Sequence, residues 1–260
     1  MNLKDNTILI TGGTSGFGLE LTKRLLDLGN EVLITGRNQA KLDGIKKQFP
    51  KVHTFQSDVS DPAAIKELYE KVTGQFPKLN FLINNAGEMR KLSLHDTSIG
   101  LDDINREIAI NLSGPIRMVQ QFLSHLKKQQ NAAILNVSSG IAYVPSPISP
   151  IYSASKSGLH FYTVSLRVQL QKTKIKVFEL VAPAASTPLN DQFFNVDGFN
   201  PKLLATPEKI IGATIKGLKK DRFEIAPGFG SILRFMSRLA PKLILKQMSK
   251  VGANLYLKTQ

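Results

Sequence analysis

The chain has 260 residues, 42% hydrophobic and 21% charged, which allows one sizeable folded core and argues against disorder. It contains no cysteine, which excludes disulfides, thiolate metal sites and a cysteine nucleophile. Its formal net charge of +14 is the unusual bulk property, and it admits nucleic acid, an anionic membrane, or a phosphorylated cofactor or substrate as partner.

Along the chain, short apolar runs alternate with helical periodicity. Thr7–Thr11 reads as a strand buried on both faces. A glycine-rich turn follows, then Leu19, Leu21, Leu25, Leu26 and Leu28 recur at helical spacing up to a stop at Gly29. Glu31–Thr35 is the second strand and Gln39–Gln48 the second helix. Val52–Gln56 is the third strand, and Asp61-Pro62 caps a helix running to about Gln75. Phe81–Asn84 gives a strand, Ile104–Lys128 a long helix, Ala132–Val137 a strand, Ile151–Leu170 a long helix and Lys176–Val181 a strand. Between Pro183 and Thr206 the periodicity fades, which predicts a long mobile loop. Thr206-Pro207 then caps another helix, and Arg222–Ile225 is a last short strand.

This alternation predicts an α/β fold, a doubly wound parallel sheet covered by helices on both faces. The expected organisation is a single domain over residues 1–230 with a basic amphipathic helical extension over 231–260. The N-terminus has no basic stretch followed by an apolar core, and no apolar run is long enough to span a bilayer. A cytoplasmic protein is expected.

Thr11-Gly12-Gly13-Thr14-Ser15-Gly16-Phe17-Gly18 lies between the first strand and the first helix. Glycines alone would suit any tight turn. In this context they allow backbone to approach a pyrophosphate, which the uncapped N–H groups of the helix then bind, as in a Rossmann fold. The second strand ends Ile34-Thr35-Gly36-Arg37, with no carboxylate to hold a ribose 2′-hydroxyl. Arg37 suits a 2′-phosphate instead, so NADP(H) is expected over NAD(H); a surface arginine without a role is the alternative.

Of the five tyrosines, Tyr152 alone has a lysine four residues later, Lys156, so both fall on one helix face. A neighbouring ammonium stabilises phenolate and lowers the tyrosine pKa, and such a tyrosine can exchange a proton with a ketone or alcohol oxygen. Ser139 closes the preceding strand, thirteen residues before Tyr152, where open α/β sheets bind ligands. Each feature alone has a plain structural reading: a solvated pair, or a serine cap.

Taken together, Gly12, Gly16 and Gly18, Asn84-Asn85-Ala86-Gly87, Asn111, Ser139, and Tyr152 with Lys156 resemble the short-chain dehydrogenase/reductase family over nearly all of residues 5–230. The resemblance implies Asn111, Ser139, Tyr152 and Lys156 as catalytic residues. In it, Lys156 also binds the nicotinamide ribose, and Asn111 holds a water in a proton relay. It further implies Asp58 and Val59 beside the adenine, Asn85, Ala86 and Gly87 along the cofactor floor, and Pro183 and Thr187 near the nicotinamide. Gly12, Thr14, Ser15, Gly16, Phe17 and Gly18 complete the cofactor set. Association as a dimer or tetramer through the two long helices is implied too. Two departures stand out: Pro183 is followed by Ala184 where the family often has glycine, and Ser15 occupies a turn position that is basic in some NADP-preferring members. The Leu19–Leu26 segment and the basic tail are similar to the DltE-like bacterial oxidoreductases.

From Lys216 onwards ten lysines and arginines face two acids, a net +8 of the chain's +14. Arg234, Arg238, Lys242, Lys246 and Lys250 recur every four residues among apolar positions, and Pro241 divides the segment into two short amphipathic helices. The tail is read as a solvated cationic face packing on the protein, with peripheral contact to an anionic membrane as the alternative. Few aromatics and no nucleic-acid-binding motif argue against nucleic acid. The expected function is oxidoreduction of a small carbonyl or alcohol; the competing reading is a cofactor-binding, membrane-associated sensor or scaffold.

Overall fold

The structure, a computed structural model, describes residues 1–257. Lys258, which contributes to the charge of the tail, lies outside the described residues. The chain forms β1 (Thr7–Thr11), α1 (Gly16–Asp27), β2 (Glu31–Gly36), α2 (Gln39–Gln48), β3 (His53–Gln56), α3 (Pro62–Gln75) and β4 (Leu79–Asn84). Two short helices, α4 (Leu101–Ile104) and α5 (Arg106–Ile108), lead through a π turn (Ala109–Ser113) into α6 (Gly114–Lys128). Then come β5 (Ala132–Ser139), α7 (Pro150–Gln169), β6 (Ile175–Ala182), α8 (Pro207–Lys219) and β7 (Glu224–Ile225). The tail forms α9 (Phe229–Leu239), α10 (Pro241–Met248) and α11 (Ala253–Tyr256).

All seven strands run parallel in the order β3-β2-β1-β4-β5-β6-β7, the doubly wound arrangement. The chain reverses its winding between β1 and β4, so a crevice opens at the carboxyl ends of these strands. Alternate residues of each strand feed opposite cores, the consequence of a side-chain period of two. Ile8 and Ile10 pack with Leu21 and Leu25 of α1 and Ile211 of α8; Leu9 packs with Leu68 of α3, Phe122 of α6 and Leu166 of α7. Both faces are apolar, which is why these strands read as continuous hydrophobic runs.

The expected long helix over Ile104–Lys128 is broken. Pro115 has no N–H for the carbonyl four residues earlier, and its ring crowds that carbonyl, so the backbone widens into the π turn before α6 begins. The last strand shrinks to Glu224–Ile225 at the edge of the sheet. The segment 183–206 has no long element, as expected, but it packs: 3₁₀ turns form at Asp191–Phe193 and Pro201–Leu203, and Ala185 bridges Ala205. Phe193 and Val196 build a small core of their own with Ile148, and Val251 of the tail packs against it. Gly252 seats there in the left-handed conformation, where a Cβ would overlap Ile148.

Candidate active site

A cleft of about 1310 Å³ runs along the carboxyl edge of the sheet. Its floor at one end is the β1–α1 turn. Gly12 and Gly16 have φ of +67° and +52°, and a Cβ on Gly12 would lie 2.8 Å from the Ala86 Cα. Gly18 has a different duty, because a Cβ there would overlap the Gly12 carbonyl oxygen and crowd the Asn85 amide. It fits α1 tightly to the turn and does not line the cleft. Asn85 Nδ2 donates to the carbonyls of Thr11 and Gly12 at 3.0 and 3.1 Å, which locks the end of β4 to the turn. Ser15 makes no capping side-chain hydrogen bond and the first turn of α1 holds no acid, so its N–H groups face the cleft without a competing anion. These glycines leave a backbone-lined cradle of the kind a pyrophosphate needs.

Thr14, Ser15, Phe17, Arg37, Asp58, Val59, Asn85, Ala86 and Gly87 line the same cleft. Arg37, at the end of β2, is exposed and its guanidinium lies 3.9 Å from the Asp58 carboxylate. Lys41, in the first turn of α2, also lines this end. Its signal in the sequence is a second cation four residues after Arg37, past the end of β2. Across the cleft, the Thr187 methyl lies 3.3 Å from where a Gly16 Cβ would stand. Pro183 lines the same region. Ala184 keeps a negative φ, so the loss of the family's glycine needs no left-handed backbone.

Midway along the cleft stand Ser139, Tyr152 and Lys156, brought together from the end of β5 and the first turns of α7. Tyr152 is 6% exposed and Lys156 only 4%, so both are withdrawn from water. Burial pushes the Tyr152 phenol above its ordinary range; the Ser139 hydroxyl pulls it back by hydrogen bonding, and the charge of Glu107 adds to the rise. The sequence suggested that the ammonium would lower this tyrosine; burial raises it instead, with Lys156 Nζ 5.6 Å from the ring centroid. Burial also lowers Lys156 to about 8, opposed by the carboxylate of Glu179. Its Nζ donates to the Val137 carbonyl at 2.9 Å.

Asn111 is fully buried in the π turn and does not line the cleft. Its Oδ1 accepts from the Glu88 N–H at 2.9 Å, and its Nδ2 donates to the Glu88 carbonyl at 2.8 Å and to Ser155 Oγ at 3.0 Å. The side chain therefore ties the segment after β4 to α7. Its main-chain carbonyl has Pro115 four residues later, which offers no N–H.

Two groups behind the site escaped the sequence reading. Glu179, fully buried on β6, accepts from Ser138 Oγ and lies 3.0 Å from His160 Nδ1. Hydrogen bonding to Glu179 raises His160, against the opposing effect of burial. The available signal was a single carboxylate inside the apolar run Phe178-Glu179-Leu180, since a lone buried charge needs partners. At the far end of the cleft Leu189, Phe193, Phe199, Leu233, Met248 and Val251 give an apolar lining. Phe194, next to Phe193, is 44% exposed and stays outside.

The family profile described as short chain dehydrogenase matches residues 6–196. The chain belongs to that family of oxidoreductases. Within this short-chain dehydrogenase family it sits in the DltE-like subgroup: it is 38% identical over 249 residues to the uncharacterized oxidoreductase DltE of Bacillus subtilis, covering 96% of this chain and 98% of that one. A fatty acyl-CoA reductase of Acinetobacter baylyi is 29% identical over 259 residues, covering 98% of this chain and 86% of that one. Among solved structures, a Burkholderia cenocepacia short chain dehydrogenase in complex with NADP matches with a TM-score of 0.81 at 20% identity, covering 95% and 99% of the two chains. One from Burkholderia phymatum in complex with NAD matches with a TM-score of 0.80 at 21% identity, covering 92% and 95%. At these identities the structural likeness supports the fold.

Proposed function

We propose that this short-chain dehydrogenase interconverts a carbonyl and an alcohol with NADP(H), using Tyr152 as general acid/base. The observation that carries the reading is the convergence of the buried Tyr152 and Lys156 with Ser139 in a cleft that also contains the glycine cradle. The proposed cofactor, when bound, supplies or accepts the hydride. The residues of this chain bind, orient and handle the proton.

The uncapped N–H groups of α1 hold the pyrophosphate, and Asp58 and Val59 flank the adenine. Arg37 and Lys41 supply two cations for a 2′-phosphate, which favours NADP(H) over NAD(H). Ser139 donates a hydrogen bond to the substrate oxygen as charge develops there. Tyr152, raised by burial, is protonated at neutral pH and gives its phenolic proton to that oxygen. Lys156 is mainly an ammonium at pH 7, because about 8 lies above that pH, and it stabilises the resulting phenolate. The Asn111 carbonyl, to which Pro115 offers no N–H, holds the water that returns a proton. The apolar far end, together with the acyl substrate named for the Acinetobacter relative, favours a substrate with a hydrophobic portion. A sensor or scaffold would have no need of this buried proton-handling group.

The further organisation we propose is a catalytic domain over residues 1–230, a tail over 231–260, and a cytoplasmic homo-oligomer. The test is a screen of carbonyl compounds for NADPH oxidation, with direct titration of NADPH and NADH. NADPH should bind at least about tenfold more tightly, the effect of about 1.4 kcal/mol; equal affinities would remove the NADP preference. Tyr152→Phe should cut turnover by about a hundredfold or more while NADPH affinity stays within a few-fold. Unchanged turnover would rule out Tyr152 as the acid.

A further inference from the structure

The final described stretch, Phe229–Leu257, contains five cations and no acid. In α9 the inward positions are Gly230 and Leu233, and Leu233 is 5% exposed. The opposite stripe, Ile232, Phe235 and Leu239, is 50–68% exposed, while Phe229 at the start of α9 lines the cleft, and α10 adds Leu243 at 53%. This spacing of three and four residues puts the α9 stripe on one helix face. Arg234, Arg238, Lys242, Lys246 and Lys250 are all exposed beside it. Among the described residues, only Arg234 of these five has a carboxylate partner, Glu224 at 2.7 Å.

The occupant of this face must satisfy both features. A second copy seated symmetrically would bring ten cations together with no acid in either stretch, a repulsive arrangement. Nucleic acid would take the cations but leave the aromatic and leucine stripe in water. An anionic lipid surface accepts both, with the apolar side chains at the acyl boundary and the cations at the headgroup phosphates. We infer that the outward face of α9 and α10 docks the protein on an anionic bilayer. The inner sides of these helices supply Leu233 and Met248 to the cleft, so docking sets the apolar end of the cleft close to lipid.

Flotation of the full chain with phosphatidylcholine vesicles, with and without phosphatidylglycerol, tests this without relying on turnover or on the proposed reaction. Binding is expected to the phosphatidylglycerol vesicles at low salt, to weaken at high salt, and to be lost on pure phosphatidylcholine. Each surface cation should contribute about fivefold, so the triple change Lys242→Glu, Lys246→Glu, Lys250→Glu should weaken binding by more than about a hundredfold. Phe235→Ser with Leu239→Ser should weaken it by about tenfold or more. These exposed positions should leave the far-UV circular dichroism unchanged. No flotation at low salt, or equal flotation of the triple variant, would overturn the inference. So would sedimentation of the protein as an assembly that Phe235→Ser with Leu239→Ser dissolves, which would assign the face to a second copy.

Discussion

Lys156 shows how residue burial links stability to chemistry. Its value in the fold, about 8, lies below the ordinary 10.5, so between these pH values the unfolded chain binds more protons than the folded one. Stability therefore climbs with pH across that window, and the penalty is complete below about 8. Lys156→Met should stabilise the protein at pH 7 by about 1–2 kcal/mol, because the relieved burial exceeds the lost hydrogen bond to Val137. The gain should shrink as denaturant melts are repeated towards pH 10.5, while activity is lost throughout; a destabilised variant at pH 7 would contradict this account. His160 responds oppositely. Its raised value means that its bond to Glu179 contributes most at low pH and fades as pH rises through the folded value. Tyr152 and Lys156 were legible as a spacing of four, but the sign of the tyrosine's shift was not, because burial is a property of packing. Glu179 was visible only as a carboxylate in the wrong company.

At the scale of elements, glycine placement and one proline decide where the site residues stand. Gly18 seats α1 against the turn, and an added methyl would overlap the Gly12 carbonyl oxygen, which is backbone and has little room to yield. Gly18→Ala should cost about 2–3 kcal/mol in a denaturant melt and weaken NADPH binding by about tenfold or more. A fully stable Gly18→Ala protein with unchanged affinity would show that the turn shifts freely. The strand-turn-helix unit was readable because every part of it is local. The break before α6 was not, although Pro115 stood in plain view. A long apolar periodicity masked it, and only the packed helix shows that the widened turn carries Asn111 to Glu88 and Ser155.

For the whole molecule, the exposed apolar side chains fall into distinct groups with different expected partners. Phe161, Val164 and Val168 lie on α7, 70%, 38% and 58% exposed, on one of the long helices through which the family resemblance implies subunit association. Phe161→Glu with Val168→Glu should therefore convert the proposed oligomer to monomers in analytical ultracentrifugation, without changing NADPH affinity. An unaltered mass would move the interface elsewhere. The basic face of α9 and α10 is separate from this row and is the one proposed to meet lipid. The alternation of apolar runs and helical stripes determined the parallel sheet by itself, because a strand buried on both faces can have no other composition. It also determined the cradle and the Tyr152–Lys156 pair, since both depend on neighbours close in the chain. Tertiary structure alone decided which distant groups meet. Ser139 joins Tyr152 in one cleft, Glu179 meets His160 behind Lys156, and the tail closes the apolar end of the cleft. Those contacts depend on the register of separate strands and on what each one buries, and no local pattern records them.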